Sequence, residues 1–214
     1  QRVLQTSPAN MLGRATAILC LIASLQAVKA DLTTKDPTIG PDFGYVLAVV
    51  ACICMHLSFT IMATAAPRYK YLTPEFVAKS LQSENDELKK LAGYELGRGC
   101  HPDNGLGRLA SKLPMDAWME LNTAQRAAGN YMEGIVQIVV FMLISGLFAP
   151  IPVACVGVVY IVSRQMYSLG FQGKKGPGGR AIWFAPIMLS QFGLFFASVF
   201  FSLRMTGALA SFGF

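Results

Sequence analysis

Residues 118–148 read WMELNTAQRAAGNYMEGIVQIVVFMLISGLF, a long apolar stretch with Arg126, Asn130 and Glu133 set into it. Roughly 20 mostly apolar residues are enough for a helix to cross a hydrocarbon core about 30 Å thick. Working outward from this stretch, three more blocks qualify: Tyr45 to Ala66, Ile151 to Phe171 and Ile182 to Met205. The composition agrees, with 53% hydrophobic and only 14% charged residues, which places the chain on the membrane side of soluble norms. Each block must be a helix, because lipid offers the backbone no hydrogen-bond partners, and a barrel would show alternation of period two instead. The expected fold is an all-α membrane protein built as a four-helix transmembrane bundle.

A fifth block, Met11 to Val28, ends in the small-residue run Ala27-Val28-Lys29-Ala30, which has the shape of a signal-peptidase site. It is read as an extra helix in an N-terminal extension over residues 1–42, and the start at Gln1 is read as processing after an upstream targeting segment. Basic residues collect on the cytosol-like side of a membrane. The connection from Pro67 to Ala117 holds eight of them, and that from Gln172 to Arg180 holds Lys174, Lys175 and Arg180 with no acid. Both connections therefore share one side, and this topology accounts for the net charge of +6 without nucleic-acid binding. Cys20, Cys52, Cys54, Cys100 and Cys155 are read as small hydrophobic packers; Cys52-x-Cys54 would point two thiols to different faces, poor geometry for a metal.

The chemistry is concentrated at Arg126, Asn130 and Glu133, whose spacings of four and three residues set them on one helical face. Polar groups inside a span are costly and by default mark a site; the competing reading is a packing network with Asn130 as interhelical glue. Arg164 and Tyr167 form a second polar stripe near the end of the third span, and Gly173-Lys174-Lys175-Gly176-Pro177-Gly178-Gly179-Arg180 follows directly. By itself that segment reads as a flexible basic turn, since it lacks the spacing of a phosphate loop. Two helices and a turn thus bring cations and hydrogen-bonding groups to one membrane level, where an anionic ligand would fit. His56 is read as a packed helix residue.

The run Gln125-Arg126-Ala127-Ala128-Gly129-Asn130-Tyr131-Met132-Glu133 resembles the second-helix signature of the MAPEG family, the membrane-associated proteins of eicosanoid and glutathione metabolism. Gly157 to Phe171 resembles that family's third helix, and Phe43-Gly44-Tyr45-Val46-Leu47, Met55-His56-Leu57 and Arg68-Tyr69-Lys70-Tyr71 its first. Within the family, the combination is most similar to the microsomal glutathione transferase type 3 branch. The resemblance implies a four-helix domain over residues 43–214, a homotrimer, and glutathione as co-substrate between neighbouring subunits. Carried over by position, Arg126, Asn130, Glu133 and Tyr167 would bind glutathione, and Arg180 would be the catalytic residue that activates its thiol. The implied activity is conjugation of glutathione to lipophilic electrophiles, or reduction of lipid hydroperoxides, by a multi-pass protein of the endoplasmic reticulum or of an organellar (mitochondrial or plastid) membrane.

The departures from the family pattern support a second reading. Phe171 stands where many members have Tyr, Ala66-Pro67 replaces a basic stretch, and a loop insertion occupies about residues 75–116. Within it, Ser83-Glu84-Asn85-Asp86-Glu87-Leu88-Lys89-Lys90 reads as a capped, solvated helix, followed by a Gly-rich piece from Gly93 to Gly107. These features would suit a catalytically idle accessory subunit of a larger organellar membrane complex, respiratory or photosynthetic.

Overall fold

A computed structural model describes residues 39–173 and 176–209. The expected N-terminal helix, with Cys20, and the pair Lys174 and Lys175 lie outside the described residues. The described chain is helical: α1 Phe43–Ala63, α2 Ala65–Tyr71, α3 Pro74–Ser80, α4 Gln82–Ala92, α5 Met115–Gly146, α6 Pro150–Gln172 and α7 Ala181–Met205, with 3-10 turns at Ala110–Lys112 and Gly176–Arg180. Four segments are long and apolar enough to cross a membrane: Phe43–Tyr71, Met115–Gly146, Pro150–Gln172 and Gly178–Met205. The protein is thus an integral, multi-pass, all-helical membrane protein, and the four apolar blocks of the sequence are its spans.

The described residues form two compact units, one of the residues up to His56 and from Tyr131 onward and the other of residues 57–130. In the first unit, α5 turns Tyr131, Gly134, Ile138, Met142 and Ser145 inward, a helical spacing of three and four, and leaves Met132, Val136 and Val140 exposed as lipid would require. Lipid tails are as apolar as the side chains, so such spans hold together by close packing and interhelical hydrogen bonds. Both devices are present. A methyl group added at Gly157 would lie 2.5 Å from Met142 Cε and 2.6 Å from Val49 Cγ1, and one at Gly146 would lie 3.0 Å from both methyls of Val46. The hydroxyls of Ser145 and Ser198 are 2.9 Å apart, and Ser198 also donates to the Phe141 carbonyl at 3.1 Å, tying α5 to α7. Pro186 sits inside α7, where Ser190 donates to its carbonyl at 2.8 Å.

The second unit has a core of its own: Leu72, Val77, Leu81, Leu96, Cys100, Ala110, Leu113, Ala117 and Leu121, with Trp118 and Leu88 packed against it. Its joints are polar. Thr73 caps α3 by accepting from Phe76 N at 3.2 Å, with Pro74 as the first helical residue. Asn85 accepts from Leu96 N at 2.6 Å, and Gly93, at φ 75°, closes α4 in the left-handed conformation. The surface helix is longer than the Ser83–Lys90 expected, and Ser83 does not cap it: Leu81 stands at the N-cap, while Ser83 donates to Glu84 at 2.9 Å. The cysteines also depart from expectation. Among the described cysteines, Cys100, in the connection between the first two spans, is buried, whereas Cys52, Cys54 and Cys155 lie exposed on the helices. A thiol suits lipid as well as it suits a core, so the span cysteines need not pack.

This unit is expected to loosen in acid. Hydrogen bonds from Lys112 and Ser83 lower the Glu84 carboxyl from 4.5 to about 2. Partial burial raises the Asp103 carboxyl, but the amides of Ala110, Gly105, Gly107 and Leu109 outweigh it and hold the group below its ordinary 3.8. A carboxyl depressed by folding contributes stability that is present above its unfolded value and lost as pH falls toward its folded one. With Trp183→Phe leaving Trp118 as reporter, emission should therefore change between about pH 4.5 and pH 2; a flat trace over that range would contradict the assignment.

Candidate functional site

The inward face of α6 carries Tyr160, Ser163, Arg164, Tyr167 and Phe171, again at spacings of three and four. Arg164 is only 6% exposed, and a charge so placed must be held by its surroundings. Its Nε donates to the Tyr160 hydroxyl at 3.0 Å, and the guanidinium carbon lies 5.1 Å from the ring centres of both Tyr131 and Tyr160 and 6.0 Å from that of Tyr167. Room for the guanidinium comes from Gly134: a methyl group there would meet Arg164 Nη2 and Gln191 Nε2, each at 2.8 Å. Gln191 in turn donates to the Gly134 carbonyl at 3.3 Å. His56 bridges the same unit, with Nδ1 3.1 Å from the Tyr131 hydroxyl and Nε2 2.9 Å from Gln165 Oε1. It is packed, as its sequence context implies, but packed through hydrogen bonds.

The second cation arrives from the turn after α6. Arg180 Nη1 donates to the Tyr167 hydroxyl at 2.9 Å, and its guanidinium carbon lies 4.8 Å from the ring centre of Phe171 and 5.8 Å from that of Tyr167. The two rings stack at 6.1 Å with planes 7° apart, so Tyr167 and Phe171 form one aromatic platform. Phe171 lacks the hydroxyl of a Tyr, yet its ring face still supports the arginine. Arg180 itself is half-buried.

The structure thus brings together Tyr167 and Arg180, two of the residues singled out in the sequence. In the unit of residues 57–130, Arg126 Nη2 donates to Asn130 Oδ1 at 3.4 Å, with Arg126 exposed and Asn130 half-buried. Glu133, in the other unit, is exposed on α5. Sequence reasoning missed Tyr131, Gly134, Tyr160 and Gln191, which surround Arg164. A glycine in the middle of an apolar helix was the available signal for Gly134, because a bare position on a packed face admits something large opposite.

Chemically, the first unit offers two positioned guanidiniums and a tyrosine hydroxyl, an arrangement suited to a small anionic ligand with a group whose negative charge needs stabilising. No group of three or more His, Cys, Asp or Glu suited to a metal occurs among the described residues. No curated protein and no solved structure matches the chain. The sequence profile of the MAPEG family matches residues 43–200. With four apolar spans, the second-helix signature and a match over most of its length, the chain belongs to the MAPEG family.

Proposed function

We propose that the protein is a membrane-bound glutathione transferase or peroxidase, conjugating glutathione to lipophilic electrophiles or reducing lipid hydroperoxides. The observation that carries this reading is the Arg180 guanidinium seated on Tyr167 and Phe171 at the end of the third span. Glutathione supplies a thiol with an ordinary pKa of about 8.5, whose thiolate is the nucleophile. Arg180 stabilises that thiolate, and Tyr167 holds Arg180 through its hydroxyl. Arg126, Asn130 and Glu133 bind the charged and peptide groups of glutathione, and charged side chains exposed on a bilayer helix, Arg126 and Glu133, call for a neighbouring subunit. That requirement supports an assembly of subunits, and the homotrimer that the family resemblance implies is the assembly we propose. The lipophilic substrate enters laterally from the bilayer of the endoplasmic reticulum or an organelle.

The test is equilibrium binding of glutathione to the detergent-purified protein, beside Arg126→Ala. Saturable binding is expected, weakened about tenfold to a hundredfold in the variant by loss of a charge-assisted contact. No binding at millimolar glutathione would leave the second reading, a catalytically idle accessory subunit of a larger membrane complex. That alternative is favoured by one observation, the self-contained core of residues 57–130, which is more than a connection between spans requires. Native mass measurement in mild detergent separates the two: a free homotrimer counts against the accessory subunit, and co-purifying partners count for it.

A further inference from the structure

The third span and the turn after it meet at a point where neither carries a side chain. Gly170 lies near the end of α6, and a methyl group built on it would sit 2.5 Å from the Gly179 carbonyl oxygen, 2.9 Å from the carbonyl carbon and 3.4 Å from Arg180 N. The two shorter distances are well inside ordinary van der Waals contact. All three atoms belong to the backbone, so no side-chain rotation relieves the overlap and one element must move. The helix is anchored by the buried Arg164, Tyr167 and Phe171, whereas the facing piece is a 3-10 turn, Gly176-Pro177-Gly178-Gly179-Arg180, with three glycines. The turn is the part that yields, and Arg180 follows its neighbour.

We propose that Gly170 is a positioning residue for Arg180: the bare backbone at 170 lets the turn approach closely enough to seat the guanidinium on Tyr167 and Phe171. The catalytic consequence rests on the transferase reading, while the placement rests on the geometry alone. A hydrogen bond of 2.9 Å and a ring contact of 4.8 Å both respond to shifts of a few tenths of an ångström, and a misplacement of about 1 Å can cost a reaction about a hundredfold.

The experiment compares four detergent-purified proteins, wild type, Gly170→Ala, Arg180→Ala and the double variant, in turnover of glutathione with a model electrophile. Alanine is the better helix former, so a loss in Gly170→Ala does not come from a weakened α6. That variant should lose roughly tenfold to a hundredfold in kcat with little change in the KM for glutathione. Its pH–rate profile should move toward higher pH, and the double variant should be no slower than Arg180→Ala. Gly178→Ala, whose added methyl meets nothing within 4 Å, is the control and should retain wild-type turnover. Wild-type kcat in Gly170→Ala, or the same fractional loss in the Arg180→Ala background, would overturn the proposal.

Placement also has a readout that needs no activity. The chain has two tryptophans, and in a Trp118→Phe background the remaining Trp183, buried three residues after Arg180, reports on the turn. Gly170→Ala should shift its emission and Gly178→Ala should not. If wild-type protein neither binds nor turns over glutathione, the transferase reading fails, and this emission decides the placement: a shift upholds it and unchanged emission overturns it.

Discussion

Arg180→Ala is expected to lower kcat about 10²–10³-fold while changing the KM for glutathione little, because in the proposed transferase its guanidinium acts on charge that develops at the thiol and not on the groups that bind glutathione. The sign of the accompanying pH effect is fixed. A cation favours the thiolate and lowers the thiol's pKa, so its removal returns that pKa toward about 8.5. The acid limb of the pH–rate profile should therefore move to higher pH, and the residual rate should recover as pH rises. Tyr167→Phe separates orientation from charge. The variant keeps Arg180 and the stacked ring but loses the 2.9 Å hydrogen bond. A hydrogen bond to a charged group contributes about 1.5–3 kcal/mol, so this variant should lose roughly tenfold to a hundredfold, less than Arg180→Ala. Arg180→Lys should fall between them, since an ammonium supplies charge without a planar face to lie on the Phe171 ring. Steady-state kinetics over a pH series reads all three. A rise in KM with kcat unchanged in Arg180→Ala would assign the residue to glutathione binding instead of thiol activation.

The spans were legible in the sequence because span length is a one-dimensional property. Ile151 to Phe171 corresponds to Pro150–Gln172, and Ile182 to Met205 corresponds to Ala181–Met205. The first block ended near Pro67, and there the structure has α1 stopping at Ala63 and α2 taking over to Tyr71. That junction, at Thr64, falls inside the apolar run that ends at Ala66, so hydropathy alone does not mark it. The site was legible in part. Arg164 stood out because a charge is expensive in an apolar context, Tyr167 because it shares a helical face with Arg164, and Arg180 because the family resemblance points to it; Tyr167 and Arg180 are in contact. Tyr131 and Tyr160 did not stand out, since a tyrosine in a span reads as packing until the cation beneath it is seen. The core of residues 57–130 was hidden for a different reason. Leu72, Val77, Leu81, Leu96 and Leu113 are scattered singly through a polar, Gly-rich stretch, with no helical or strand period to gather them. What gathers them is a set of polar joints, and one side chain supplies more of these than any other.

That side chain is Asp103, and Asp103→Ala is expected to destabilise the unit of residues 57–130 by about 2–4 kcal/mol. Its carboxylate closes the loop by accepting four backbone N–H groups: Gly105 at 2.8 Å and Gly107 at 3.0 Å on Oδ1, Leu109 at 2.8 Å and Ala110 at 3.1 Å on Oδ2. Each oxygen serves two donors, so truncation leaves four amides to find water or go unpaired. The partial exposure of Asp103 keeps the loss below the sum of four buried bonds. Asp103→Asn is the sharper variant. An amide keeps one oxygen and replaces the other with an NH₂ group, which then faces two N–H donors whichever way it is turned. Asparagine, although nearly isosteric, should therefore recover less than half of the loss. The loop carries Arg98 and Arg108, and Arg98 is tied to the Tyr69 carbonyl at 3.3 Å, so trypsin is a suitable probe of the intact protein in detergent. Where cleavage follows the population of the open loop, a loss of about 3 kcal/mol speeds cutting at these arginines roughly a hundredfold. The rank order should be Ala fastest, Asn close behind and wild type slowest. Wild-type cleavage in Asp103→Asn would mean that the loop is held by its glycines and by Arg98, with the carboxylate incidental to it.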